Sequence, residues 1–193
     1  MSAHSAWKDR DNALTAQTIP IGLTNLFGVT LDSFQTYQPP SHDRNGVRLD
    51  DGTLMPVQVF AEIPSPGEAK VVGRWERDYL KGLPAMTEHP FGKGKAVAYG
   101  SLFNLESARA LMKRYAGEAG LKPIVDDASE EIEVTRRIKG RAEFCFLLNH
   151  GDKPAEATAG DGYTDALTDE KAEGALKLAP FGRRVLRRDR PAN

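Results

Sequence analysis

Cys145 is the one thiol in the chain. A thiol attacks a carbonyl only as thiolate, which needs a partner base or a positive dipole. Its setting, Glu143-Phe144-Cys145-Phe146-Leu147-Leu148, has a strand pattern, and no Gly-x-Cys-x-Gly elbow surrounds it. Cys145 therefore reads as a small packed hydrophobe. Ser101 stands between a strand pattern and a helix pattern, where a serine nucleophile would sit. Its surroundings, Tyr99-Gly100-Ser101-Leu102-Phe103, do not match Gly-x-Ser-x-Gly. His150 and Asp152 could complete a triad with it, but turn chemistry in Asn149-His150-Gly151-Asp152 accounts for both.

Other groups fare no better as sites. Gly92-Lys93-Gly94-Lys95 lacks phosphate-loop spacing and precedes a strand, so it predicts a hairpin connection. His4, His42, His89 and His150 are scattered, and with one cysteine they predict no metal centre. Asp126-Asp127 and Glu130-Glu131 are adjacent acids in polar sequence. A glycosidase pair must instead flank a sugar ~5–10 Å apart in a cleft. Arg183-Arg184 and Arg187-Arg188 make a basic end without interleaved aromatics, which predicts no nucleic-acid partner. Trp7 and Trp75 are available for sugar stacking if exposed. The expectation is no catalytic residue, no cofactor and no metal.

Composition sets the frame for these residues. The chain has 193 residues, 40% hydrophobic and 27% charged, with a formal net charge of -1. It can bury a core, and its charge gives no general attraction to nucleic acid or anionic membranes. No apolar run approaches the ~20 residues needed to cross a bilayer, and the N-terminus has no apolar signal region. One cysteine suits a reducing cytoplasm.

The elements that must position the residues follow from pattern. Residues 1–20 predict an irregular entry, Ile21–Phe27 a short helix stopped by Gly28, and Val29–Tyr37 a strand. The stretch from Pro39 to Gly46 predicts a loop. Strands are expected at Val47–Leu49, Leu54–Ile63, Ala69–Trp75, Pro84–Thr87 and Lys95–Tyr99, with a tight turn at Asp51-Gly52. Leu105–Glu118 carries apolar residues at helical spacing, an N-cap at Asn104, an acid at Glu106 and a stop at Gly120. Leu121–Ser129 reads as a linker. Short strands then recur at Glu131–Ile138, Glu143–Asn149, Glu156–Ala159, Ala175–Leu178 and Arg184–Arg187, the pattern of a small antiparallel sheet or sandwich.

Several segments together resemble the family 42 β-galactosidases. Trp7-Lys8-Asp9-Arg10-Asp11-Asn12 and Leu23-Thr24-Asn25-Leu26-Phe27-Gly28-Val29 are similar to the stretch after the family's barrel, with Asn25 in place of an aspartate. Gly82-Leu83-Pro84-Ala85, Phe91-Gly92-Lys93-Gly94 and Phe146-Leu147-Leu148-Asn149-His150 continue the resemblance, as does Leu178-Ala179-Pro180-Phe181-Gly182. It covers about Trp7 to Leu186.

The pattern of elements reads as an α/β segment up to about Pro123 followed by a small β domain from about Glu131, and the resemblance implies the same α/β fold class in more detail. A partial class I glutamine amidotransferase-like (flavodoxin-like) trimerisation domain would span 1–124, and a small antiparallel β domain 125–193. It further implies that the catalytic (β/α)₈ barrel and its two glutamates lie outside this chain, since such a barrel alone takes ~250 residues. The expected function is the non-catalytic assembly portion of an enzyme that hydrolyses terminal β-D-galactosides. Its partners would be further copies, a trimer in the family, or a separate barrel-bearing subunit. The competing expectation is a stand-alone carbohydrate- or protein-binding module.

Overall fold

The computed structural model describes residues 1–37, 45–57 and 59–190. They form two compact units, Met1–Glu118 and Ala119–Asn193. In the first unit, α1 (Thr24–Phe27) ends on Gly28 in the left-handed region, and β1 (Val29–Thr36) pairs antiparallel with β4 (Phe60–Pro66). A five-stranded sheet has the order β3-β2-β5-β6-β7, made of β2 (Asn45–Leu49), β3 (Leu54–Val57), β5 (Lys70–Trp75), β6 (Pro84–Phe91) and β7 (Gly94–Tyr99). Every pairing within it is antiparallel.

Local chemistry explains the connections. At the β2–β3 turn Gly52 takes φ +86°, which glycine adopts without a Cβ penalty, and the Thr53 N–H donates to Asp51 Oδ1 at 2.8 Å. The β6–β7 hairpin closes through Gly92-Lys93, Phe91 facing Gly94. The one long helix among the described residues, α2 (Leu105–Glu118), has a reciprocal cap. Asn104 Oδ1 accepts from the Ser107 N–H at 2.8 Å, and Ser107 Oγ accepts from the Asn104 N–H at 3.0 Å. Leu111 of α2 joins Val47, Met55, Trp75, Leu80 and Met86 in the core.

The second unit builds two antiparallel sheets. One has the order β12-β14-β10-β9, from β9 (Ile132–Lys139), β10 (Ala142–Asn149), β12 (Thr164–Asp165) and β14 (Arg183–Asp189). The other has the order β13-β11-β8, from β8 (Asp127–Ala128), β11 (Ala155–Ala159) and β13 (Gly174–Leu178). Their buried faces share Cys145, Leu147, Ala157, Tyr163, Leu176 and Leu186.

Each unit holds one buried glutamate, and the second unit also buries Asp165. Glu62 of β4 is 2% exposed, and its Oε1 accepts from the Trp7 indole N–H at 2.7 Å and the His4 N–H at 2.8 Å. Burial pushes its pKa up against the partial offset of those hydrogen bonds. Glu143 of β10 accepts from Tyr163 Oη at 2.6 Å and Arg188 Nε at 2.9 Å. Burial pushes this carboxyl up too, but the hydrogen bonds from Tyr163 and Arg188 outweigh it and hold the pKa below the usual carboxylate range.

Several expectations need correction. The α/β, flavodoxin-like, glutamine amidotransferase-like domain over 1–124 is not what forms. The described residues are 46% strand and 12% helix, and the named strands pair antiparallel. A parallel pair needs a crossover of about a dozen residues, and connections such as Gly92-Lys93 are far too short. The strand expected over Leu54–Ile63 is two strands, β3 and β4, separated near Val59 at positive φ. The linker at Leu121–Ser129 contains β8, which pairs with β11. The entry segment is not wholly irregular either, because Met1–Ala3 hydrogen-bond to Val97, Tyr99 and Ser101. Most of the loop expected from Pro39 to Gly46 lies outside the described residues, and its last residues, Asn45 and Gly46, belong to β2. No helix among the described residues is long and apolar enough to cross a membrane.

The two carboxylates predict opposite pH responses. Glu143, with a depressed folded pKa, contributes stability above the ordinary carboxylate value, which is lost as pH falls through the folded one. Glu143→Gln should cost about 2 kcal/mol at pH 7, and that cost should shrink below pH ~4 in far-UV unfolding curves. Glu62, with a raised folded pKa, contributes most below its unfolded value and loses that contribution as pH rises through the folded one. Both tryptophans lie in the first unit, so their fluorescence reports it alone. Between pH 5 and 8, Glu62→Gln should gain stability relative to the wild type. A gap independent of pH would contradict this.

Candidate functional site

The residues singled out by type do not converge. Cys145 is fully buried on β10, and burial, with Glu143 nearby, pushes its thiol up to about 11. Ser101 is also fully buried, and its Oγ donates to the Phe60 carbonyl at 2.7 Å. The preceding Gly100 is demanded by close backbone approach, since a Cβ there would lie 2.5 Å from the Glu62 carbonyl oxygen. Ser101 is thus a packing position and not a nucleophile elbow. His150 Nε2 lies 2.9 Å from Glu133 Oε2 on the surface, and Asp152 is exposed in the following turn.

His4 packs its ring against Phe60 and Trp7. His89 Nδ1 donates to the Leu26 carbonyl at 2.9 Å. His42 lies outside the described residues. Among the described residues no three His, Cys, Asp or Glu side chains group as metal ligands. Asp126 and Asp127 enter the β8 region, while Glu130 and Asp127 are exposed. Of the basic pairs, Arg188 bonds Glu143, Arg184 bonds Asp165 and Arg187 lies 3.9 Å from Asp189, so three of the four charges are paired within the second unit. Trp75 is 1% exposed within the core. Trp7 sits against Phe34 and Phe60 with its N–H on Glu62. Neither is a free stacking platform.

One charged cluster was not legible in the sequence. Arg114 of α2 reaches Asp50 at 2.7 Å and Glu88 at 3.4 Å. Tyr115 Oη donates to Glu88 Oε1 at 2.8 Å, and Lys95 Nζ donates to Glu88 at 3.0 Å and Glu118 at 2.7 Å. Burial pushes Glu88 up, but Lys95 and Tyr115 hold it below the usual carboxylate range. These groups pair with one another and clamp α2 to β6 and β7. Glu88 and Arg114 are far apart in sequence, so no local motif announces the cluster.

What remains available is apolar. Beside the clamp, Val97, Tyr99, Phe103, Leu111, Met112 and Tyr115 line a hollow of about 300 Å3. Of its lining, Met112 is 64% exposed and Phe103 54%, and Leu105, at the start of α2, is 65% exposed. Leu105, Ala108, Met112 and Tyr115 recur at helical spacing, offset from the buried Ser107 and Leu111. Helix α2 therefore carries an inward face and a second apolar stripe. Such a surface does no acid–base chemistry. It suits contact with another polypeptide.

Comparison with known proteins accords with such a surface. Residues 1–122 match the model of the β-galactosidase trimerisation domain, and residues 131–188 that of the β-galactosidase C-terminal domain. The β-galactosidase BgaA of Planococcus sp. (strain 'SOS Orange') is 33% identical over 172 residues, 86% of this chain and 25% of the relative. The β-galactosidase LacA of Lactobacillus acidophilus is 32% identical over 138 residues, 69% of this chain and 19% of that protein. The chain thus spans a quarter or less of these relatives. The fold is shared with the β-galactosidase of Bacillus circulans sp. alkalophilus, at TM-score 0.85, 22% identity and coverage of 97% of this chain and 28% of that one. It is also shared with Gan42B, a β-galactosidase from G. stearothermophilus, at TM-score 0.84, 22% identity and coverage of 98% and 28%. The chain belongs to glycoside hydrolase family 42, of whose β-galactosidases it carries the trimerisation and C-terminal domain regions.

Proposed function

We propose that this chain is an assembly portion of a β-galactosidase acting on terminal β-D-galactosides, and that it takes no part in the chemistry itself. The observation that carries this reading is the coincidence of the trimerisation-domain match over 1–122 with the uncovered apolar stripe on α2. A stripe of that kind is costly to leave in water, at about 25 cal/mol for each Å2 of apolar surface, and association covers it. The deeply buried carboxylates support the non-catalytic part, because each is already engaged in packing. Glu62 is held by Trp7 and His4, Glu143 by Tyr163 and Arg188, and Asp165 by Arg184. The partners are further copies of the chain or a separate barrel-bearing subunit. A cytoplasmic setting fits the single, buried, unpaired cysteine. The sugar-binding alternative loses its support with the burial of Trp75 and the engagement of Trp7.

The purified chain should give no turnover of a chromogenic β-galactoside. Light scattering across a concentration series should report masses above the 21.1 kDa of one chain. Steady turnover that survives removal of host enzyme would contradict the non-catalytic reading. A single-chain mass at every concentration, together with no binding to a barrel-bearing polypeptide, would contradict the assembly reading.

A further inference from the structure

We infer that the outer face of the second unit's sheet, β12-β14-β10-β9, docks an acidic peptide segment that sets carboxylates on either side of an apolar side chain. The inference concerns the second unit and stands apart from the assembly reading, which rests on the first.

Strand β10 has two unlike faces. Glu143, Cys145, Leu147 and Asn149 are buried, while Phe144, Phe146 and Leu148 between them are partly exposed. Side chains paired across antiparallel strands share a face, so the register gives the neighbours of each. Phe144 lies between Arg137 of β9 and Arg187 of β14. Phe146 lies between Thr135 and Val185, and Leu148 between Glu133 and Arg183. The unit's second sheet covers the opposite face, and none of Phe144, Phe146, Leu148 and Val185 belongs to the shared core. Along the sequence the terminal arginines have no interleaved aromatics. The sheet supplies them across strands.

The charge on this face defines its occupant. Arg137, Arg183 and Arg187 are all exposed. Arg137 donates to the Arg136 carbonyl, and neither it nor Arg183 forms an ion pair among the described residues. Arg187 has Asp189 at 3.9 Å, with both side chains more than half exposed, and a pair of that kind contributes little. Three guanidiniums around an apolar strip offer paired donors to carboxylates and an apolar surface to cover. Neighbouring strands lie about 4.8 Å apart, so Arg137 and Arg187 stand on the order of 10 Å from each other across Phe144. An extended segment spans that distance in about three residues, which sets the spacing of its carboxylates. A nucleic acid fits less well. Phe144 and Phe146 are half-buried and lack the open ring faces that base stacking uses. Glu133 and Asp189 lie on the same face and oppose a continuous run of phosphates.

The test titrates the full chain into a fluorescein-labelled dodecapeptide repeating Glu-Leu-Leu and reads fluorescence anisotropy. A Glu-Ser-Ser repeat and an oligothymidylate serve as companion probes. Saturable binding of the Glu-Leu-Leu peptide is expected for the wild type, with the Glu-Ser-Ser peptide at least about tenfold weaker. Arg137→Glu and Arg187→Glu reverse the charges on either side of Phe144. Each should weaken binding about tenfold or more while the circular dichroism is unchanged. Lys177→Glu makes the same change in net charge on the other sheet, where that side chain is 81% exposed, and should bind as the wild type does. Peptide binding that neither arginine variant weakens would overturn this site. Equal weakening by Lys177→Glu would mean attraction by net charge alone and would overturn it too. So would failure of the wild type to bind, equal binding of the Glu-Ser-Ser peptide, or tighter binding of the oligothymidylate.

Discussion

A chain that reverses direction within a few residues can pair with itself only antiparallel, and most of this architecture follows from that constraint. Gly92-Lys93 joins β6 to β7, Gly140-Arg141 joins β9 to β10, and the turn at Asp51-Gly52 joins β2 to β3. None has room for the helical crossover that parallel neighbours require. Antiparallel sheets built this way stay open and have edges. The second unit faces its two sheets across one core. The first unit covers one face of its sheet with α2 and leaves the β7 edge half paired.

The buried carboxylates fix where the less regular chain lies. Glu62 gathers His4 and Trp7 and, with Phe34 and Phe60, pins the entry segment to β4. That anchoring brings Met1–Ala3 to β7, so the state of the sheet edge depends on a polar contact made at another strand. Glu143 plays the matching part in the second unit, holding Arg188 over the Tyr163 ring at 4.4 Å. The two differ in partners. Glu62 has neutral N–H donors, so burial dominates and its pKa rises. Glu143 has a guanidinium and a phenol, and its pKa falls.

Much of the element pattern was legible because its causes are local. Asn104 capping α2, Gly28 ending α1 and Gly52 in a tight turn are short-range effects, and the strand alternation from Ala142 to Asn149 shows directly as burial on every second residue. The α/β reading of the first unit fails because short connections such as Gly92-Lys93 make antiparallel hairpins, and its flavodoxin-like detail rests on the resemblance alone. Strands β8 and β12 were missed because two-residue strands such as Asp127–Ala128 carry no periodicity. Glu62 was invisible because Phe60, Ala61 and Glu62 are all buried, which removes the alternation that would flag an inward acid. The second stripe of α2 could be read as helical spacing, but which stripe faces the core depends on distant strands.

The proposed assembly role rests on an apolar hollow, a helix with one stripe too many and a sheet edge with open hydrogen-bonding groups. Amide hydrogen exchange on the dilute chain tests this most directly, because it reads each peptide group of β7 separately. Ala96 and Ala98 point toward β6 and should be protected, while Lys95 and Val97 point outward and should exchange freely until a partner is added, then slow together. Protection of Lys95 and Val97 in the dilute, partner-free chain would mean the edge is already closed, and would contradict the account.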